Sequence, residues 1–418
     1  MHLFLWATTA LLALCEAGQA AAASIPRTEH GKIAPKVLII SMFAPEADIW
    51  YTNMPHSGLG DLLAVNVSAP GLSMLYPHVH CLADHSVCQV TTGESEINAA
   101  ASIMAVTLST KFDLRKTYFL VAGIAGVNPK VSTLGGVALA RYAVQVALQY
   151  EFDAREMPEN FTSGYFSYGT LLPNEYPTTL YGTEVLEINE ALRDIAYSFA
   201  AKANLTDNSG AAEYRARYHA AGAVYASGAE PPSVVKCDSA TSDVYYSGAL
   251  LSEEFENVTE VWTNGTGKYC MTAQEDNATL EVLLRMAIEG IVDFSRVIVM
   301  RTGSDFDRPP PGVSAYQHLV ILQQNGFLIA IENIFQAGIE IVKGIVSQWD
   351  CTFKKGVKPN NYIGDVFGSL GGKPDFGPGS LTGGAGFKPD GKSGDLKKRE
   401  SMVKGRAVVP PVGRQAAR

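Results

Sequence analysis

The chain has 418 residues, 47% hydrophobic and 18% charged, and a formal net charge of −9 at pH 7. That length and apolar fraction suffice for one large core or two ordinary ones. The acidic balance argues against a nucleic-acid surface as its main business.

Residues Leu3 to Leu14 form a short apolar run, and Gly18 to Ser24 are small. This pattern predicts a secretory signal peptide, residues 1–23, cut near Ala20 to Ala23. No Lys or Arg precedes Arg27, so its amino-terminal region offers only His2 and the chain terminus. The run is too short to span a bilayer. Export would place the mature chain outside the cell, at its surface or in an endomembrane lumen. Six N-x-[ST] sequons occur, at Asn66, Asn160, Asn204, Asn257, Asn264 and Asn277, and that setting suits several of them, Asn277 excepted because it sits inside a proposed site.

Lys36 to Ile40 reads as a first strand, running into Ser41-Met42-Phe43-Ala44-Pro45-Glu46. Taken alone, Glu46 is a solvated acid at a helix start, where it favours the dipole. The segment from His78 to Cys88 invites a zinc reading, but its spacing is not a structural zinc pattern and a second ligand pair is absent. A Cys81–Cys88 disulfide is the better reading in an oxidising compartment, with Cys237 and Cys270 as a second bridge. Cys15 would leave with the leader, and Cys351 is the odd one, to be buried or paired between chains. No metal and no cofactor is expected.

Gln89 to Thr92 reads as a strand, Gly93 as a turn, and an Ala-rich helix runs on to about Leu108. Next comes the stretch that organises the chain, Lys116-Thr117-Tyr118-Phe119-Leu120-Val121-Ala122-Gly123-Ile124-Ala125-Gly126-Val127-Asn128-Pro129. An apolar run broken by two glycines and stopped by proline reads as a buried parallel strand entering a tight turn. Gly123 and Gly126 remove side chains where a ligand or backbone would approach. Gly135 to Ala140 reads as a further strand.

An aromatic, glycine-rich loop follows from Gly164 to Glu184, then two helices, roughly Glu184 to Ala203 and Ala211 to Ala221. Ser233 to Cys237 is a strand leading to Thr241-Ser242-Asp243-Val244-Tyr245. Gln274-Glu275-Asp276-Asn277 opens a helix. Arg296 to Arg301 reads as the last sheet strand, ending in Thr302-Gly303-Ser304-Asp305. Leu319 to Val346 is the most apolar later segment, yet it carries eight polar groups, among them Glu332, Glu340 and Lys343. It reads as a helical core face through Leu319, Leu322, Phe327, Ile331, Ile334 and Phe335, not as a membrane span. Residues 379–418 are rich in Gly, Pro and Lys without periodicity and read as a disordered tail.

Three stretches, TTGESEINAAASIMAV, KTYFLVAGIAGVNP and LARYAVQVALQYEFDAREMP, resemble the fungal purine nucleoside permease family. The order strand, glycine turn, Ala-rich helix, strand, G-x-A-G resembles the wider nucleoside phosphorylase and nucleosidase superfamily. The resemblance covers about Pro35 to Pro378. It implies one nucleoside phosphorylase-like domain, residues 35–378, in three α/β/α layers around a central mixed sheet. It also implies site residues. Glu46 matches the carboxylate that handles the attacking water. Tyr245 matches the aromatic residue that stacks on the purine, although Thr241 and Ser242 depart from the S-G-D-x-aromatic pattern. Glu275 matches the acceptor of both ribose hydroxyls, with Gln274 in place of methionine and Glu281 as the alternative. Asp305, in an R-x-x-S-D pattern, matches the acid that protonates the leaving purine. Gly123, Ala125 and Gly126 would line the nucleoside. Related phosphorylases carry an arginine before the glycine turn, whereas Phe119 to Ala122 bear no charge, so water is the expected nucleophile of any reaction.

The implied function is purine nucleoside binding in the service of uptake, for nucleosides of the adenosine and guanosine class. A secreted nucleoside N-glycosidase is the alternative, and a purely structural role explains the glycine motifs poorly. No nucleic-acid partner and no intrinsic membrane span are expected; a homo-oligomer is admitted.

Overall fold

The computed structural model describes residues 31–376. The expected leader and the tail from residue 379 lie outside the described residues.

Alternating faces of one sheet define the core. β1 (Val37–Ser41) turns Leu38 and Ile40 to one side and Val37 and Ile39 to the other. β2 (Val65–Ser68), β3 (His78–Cys81) and β4 (Val87–Thr91) form an antiparallel flank, and β4 lies parallel to β1. β5 (Tyr118–Val127) is ten residues long and is the hub of the sheet. Its first half pairs in parallel with β1. β6 (Val137–Leu139) and β7 (Tyr142–Val144) follow, then a separate hairpin of β8 (Tyr150–Glu151) and β9 (Tyr165–Phe166). β10 (Val185–Glu187) pairs antiparallel with β7. β11 (Val234–Lys236) adds to β6, and β12 (Asp238–Thr241) pairs in parallel with β7 and with β13 (Tyr269–Ala273). β13 runs antiparallel to the end of β5, and β14 (Val297–Phe306) runs parallel to β5 along its whole length. The sheet is therefore mixed, as expected, with twelve strands.

Helices cover both faces. Ser95–Leu108 and Asp276–Ile288 bury Ile103, Val106, Leu280 and Leu283 on one side. Ala44–Asn53, Glu190–Ala200 and Phe327–Ser347 bury Trp50, Leu192, Ile334 and Val342 on the other. Burying such side chains is worth about 1.5–3 kcal/mol each, which holds these helices on the sheet.

Four local readings change. The G-x-A-G segment is not a turn: β5 runs straight through Gly123 and Gly126. Residues after Glu184 form β10, not a helix start, because Val185 and Leu186 are buried beside β7; the helix begins at Glu190, capped by the Asn189 side chain. The second helix, Ser209–Ala216, gives way to 3-10 turns and breaks at Gly222, whose φ is 62°. Leu319 to Ile321 are exposed, and the core face starts within Phe327–Ser347. Among the described residues, no helix is long and apolar enough to cross a membrane.

Two disulfides join pairs of cysteines among the described residues. Cys81–Cys88 links a register pair of β3 and β4, and Cys237–Cys270 ties the start of β12 to β13. The segment after residue 358 crosses the β10 edge. Glu187 and Gly364 exchange backbone hydrogen bonds of 2.9 Å, and Asn361 Nδ2 donates to Glu187 Oε1 at 2.7 Å. Arg141 reaches Glu187 and Asp375 from the residue before β7.

Candidate functional site

The register of β14 on β5 builds the site. Arg301 lies opposite Gly123, and Asp305 opposite Gly126. A bulge between Gly303 and Asp305 inserts one residue, which re-aims the strand end. Each glycine makes room for its neighbours. A Cβ on Gly123 would stand 2.1 Å from Met42 Cε, 2.6 Å from Glu46 Oε1 and 2.8 Å from Arg301 Nη1. A Cβ on Gly126 would stand 2.3 Å from Thr272 Oγ1. Close approach, not a special φ, requires them.

A cavity of about 170 Å³ opens here, lined by Glu46, Ala125, Gly126, Tyr245, Glu275 and Asp305 among others. The elements thus bring together all the site residues expected from the sequence, with Gly123 one layer behind, against Glu46 and Arg301. Glu281 is not among the lining residues; its mostly buried carboxylate pairs with Arg285 one turn along the helix, so that of the two candidates it is Glu275 that reaches the cavity.

Glu46 is 1% exposed, so it is not the solvated acid that its helix position alone suggests. Its Oε2 accepts the Met42 N–H and its Oε1 the Ile124 N–H, both at 2.7 Å. Burial pushes its carboxyl up to about 8, against the pull of Arg301 and of these N–H groups. Glu275 Oε1 accepts the Ser95 N–H at 2.9 Å, and Oε2 accepts Arg301 Nη2 at 3.0 Å. Ser95 adopts φ 81°, unusual for a residue with a side chain, and that conformation aims its N–H at Glu275.

Arg301 completes the inner wall with Asp276 buried behind it, and the sequence reading gave neither a role. Arg301 Nε donates to Asp276 Oδ1 at 3.1 Å, Nη2 bonds both acids, and Nη1 donates to the Ile124 carbonyl at 3.0 Å. Burial opposes the guanidinium charge, yet Asp276 and Glu275 more than restore it and hold its proton above the ordinary value. Asp276 is fully buried and also accepts from Ser239 Oγ. The available signal was the adjacent Glu275-Asp276 pair and the arginine of R-x-x-S-D.

Asp305 sits within β14, not after it. Burial raises its carboxyl, while hydrogen bonds from Tyr245 and Ser304 pull the other way. Tyr245 Oη donates to Asp305 Oδ2 at 2.6 Å and Ser304 Oγ to Oδ1 at 2.7 Å. The tyrosine ring is exposed over the cavity. Behind the strand end, His318 Nε2 donates to the Phe306 carbonyl at 2.8 Å and Nδ1 accepts from Tyr214 Oη at 2.6 Å. Gln324 Oε1 accepts the Phe306 N–H at 2.7 Å, so the residues beside Asp305 are clamped from both sides.

Asn277 is buried. It accepts from Thr241 Oγ1 at 2.6 Å and donates to the Thr183 carbonyl at 2.7 Å, which removes it from the sequons open to a glycan. The other five asparagines are exposed.

Residues 34–358 match the family model described as purine nucleoside permease. A purine nucleoside permease of Candida albicans is 49% identical over 349 residues, 82% of this chain and 83% of that protein. A protein of Schizosaccharomyces pombe described as a probable purine nucleoside permease is 41% identical over 355 residues, 83% of this chain and 99% of that protein. Among solved structures, the 5′-methylthioadenosine/S-adenosylhomocysteine nucleosidase of Neisseria meningitidis in complex with methylthio-immucillin-A is 13% identical. That match covers 74% of this chain and 99% of the other at a TM-score of 0.42.

Proposed function

The chain belongs to the purine nucleoside permease family, and we propose that its cavity binds purine nucleosides as the recognition step of their uptake. One observation carries the reading: Asp305, Glu275 and Glu46 converge on a single cavity, walled by backbone that two glycines keep thin. In this reading Glu275 accepts the ribose hydroxyls through the lone pairs left by Ser95 and Arg301, and Asp305 meets the ring nitrogen of the purine. Tyr245 covers the base, and its hydroxyl must leave Asp305 when the base arrives. With no membrane-length helix among the described residues, the chain's part in uptake is capture, with passage left to a membrane component. Two disulfides favour an oxidising setting outside the cytosol, and the five exposed sequons admit glycans there.

The raised carboxyls favour a second reading, base release by hydrolysis. Asp305 gives its proton to the purine as the C1′–N bond breaks and the bonding electrons go to the base. Water adds to C1′, and its proton passes to the Glu46 carboxylate. General acid catalysis of this kind contributes about 10²–10⁴-fold. Phosphate is the poorer nucleophile here because every nitrogen of Arg301 already donates within the protein.

The test is the purified protein with adenosine, guanosine and inosine, with and without phosphate, followed for binding and for free base. Binding without cleavage supports capture, and phosphate-independent base release supports hydrolysis. Phosphate-dependent ribose 1-phosphate would overturn both accounts of the site.

A further inference from the structure

The devices by which proteins hold anions are a helix N-terminus, free backbone N–H groups and an arginine. All three stand at this cavity, and the chain's own carboxylates occupy each one. At the start of the Ser95–Leu108 helix, the Ser95 N–H goes to Glu275 and the Glu96 N–H to Asp243 Oδ1 at 2.9 Å, with Ser95 Oγ on the same oxygen at 2.7 Å. The Met42 and Ile124 N–H groups are taken by Glu46. Arg301 is taken by Glu275 and Asp276. One further carboxylate, Glu94, lines the same cavity from an exposed position just before the helix and makes no side-chain cap. Glu94 and Glu275 thus stand on the cavity lining with Arg301, and Asp276 is buried behind the guanidinium.

We propose that this cavity selects by charge, admitting uncharged nucleosides and rejecting nucleoside 5′-phosphates, with Glu94 as a specificity-determining side chain at its rim. The proposal rests on the nucleoside-binding reading above. A phosphate entering here finds the Ser95, Glu96, Met42 and Ile124 N–H groups and most of the Arg301 guanidinium already given to the chain's own acceptors, and meets further negative charge on Glu94 and Glu275 of the lining. Like charges brought together in one partly buried site repel strongly enough to weaken binding by roughly a hundred-fold. The contribution of Glu94, being exposed, is smaller and fades with salt.

The experiment compares three ligands by calorimetry on the full protein at low and moderate salt: adenosine, adenosine 5′-monophosphate, and 5′-O-sulfamoyladenosine. The last has the bulk of the phosphate without its charge. The expected result is comparable affinity for adenosine and the sulfamoyl compound, with the monophosphate weaker by a hundred-fold or more. Glu94→Gln should narrow that gap by about three- to ten-fold at low salt, and Glu94→Lys further, with adenosine affinity little changed. Monophosphate binding within ten-fold of adenosine would overturn the proposal. So would equal rejection of the sulfamoyl compound, which would make the discrimination steric. A gap untouched by either Glu94 variant would refute its assigned role. Failure to bind adenosine at all would instead remove the nucleoside reading on which the proposal stands.

Discussion

Arg301→Gln is the perturbation with the largest calculable consequence. Arg301 is 2% exposed and is an ion partner of both Glu275 and Asp276, themselves 4% and 0% exposed. Deleting one partner of a buried pair costs about 3–5 kcal/mol, because the other charge is left uncompensated. Here two carboxylates are left, so the upper part of that range is expected. Glutamine donates to one of them at most. Trp50 and Trp262 are fully buried and report unfolding by fluorescence in urea. The charge account makes a sharper demand than the loss alone. Asp276→Asn should also destabilise, but Arg301→Gln with Asp276→Asn should cost less than the two separately, by about 0.5–3 kcal/mol. A cost below about 1 kcal/mol for Arg301→Gln, or additivity within about 0.5 kcal/mol, would refute the reasoning. Loss of Arg301 should also move Glu46 further up, since the guanidinium is the largest influence pulling it down.

Gly123→Ala should cost about 1–3 kcal/mol through overpacking and displace Glu46, read as lowered urea midpoint together with weakened nucleoside binding. Glu275→Gln should weaken adenosine more than adenine in calorimetry, by roughly 1.5–3 kcal/mol if the contact to ribose hydroxyls is charge-assisted; equal losses would remove Glu275 from the ribose. If base is released, Asp305→Asn should abolish release while binding remains measurable. Tyr245→Phe should then shift the alkaline limb of the release profile upward, because the lost hydrogen bond favoured the Asp305 anion; an unmoved limb contradicts the contact. For Glu46, whose carboxyl lies above its unfolded value, the folded state binds the proton more tightly. Its contribution to stability is therefore full below about pH 4.5 and is lost as pH rises to about 8. Glu46→Gln should flatten that decline in urea titrations at pH 5 and pH 8.

The carriers of the site were legible because each sits in a short local pattern: a glycine-broken strand around Gly123 and Gly126, an acid after the first strand, and an acid after Arg301 and Ser304. What those patterns hid was pairing. Nothing local says that Arg301 will lie across from Gly123, 178 positions earlier, since register is set by the whole length of β14 on β5. The role of Asp276 was hidden for the same reason: its partners Arg301 and Ser239 come from two other strands. The glycines misled about secondary structure because glycine marks both turns and close approaches. At Glu184, the helical pattern yielded to the burial of Val185 and Leu186 against β7. Tyr245 was legible as an aromatic, and it does line the cavity; its hydroxyl contact with Asp305 was not legible.

The strap that crosses β10 bears on colloidal behaviour. β10 is the last strand on its side of the sheet, short and fully buried. An uncovered strand of that kind is a template on which another molecule can add by main-chain pairing. Residues 359–376 occupy the template with one local bridge at Gly364, the grip of Asn361 on Glu187, and Phe376 set edge-on to Tyr142 at 5.9 Å. All of them fall beyond residue 358, where the family match stops. A chain shortened to the matched region would keep the cavity and lose this cover, so self-association, not loss of the ligand site, is the failure to which such a truncation is exposed.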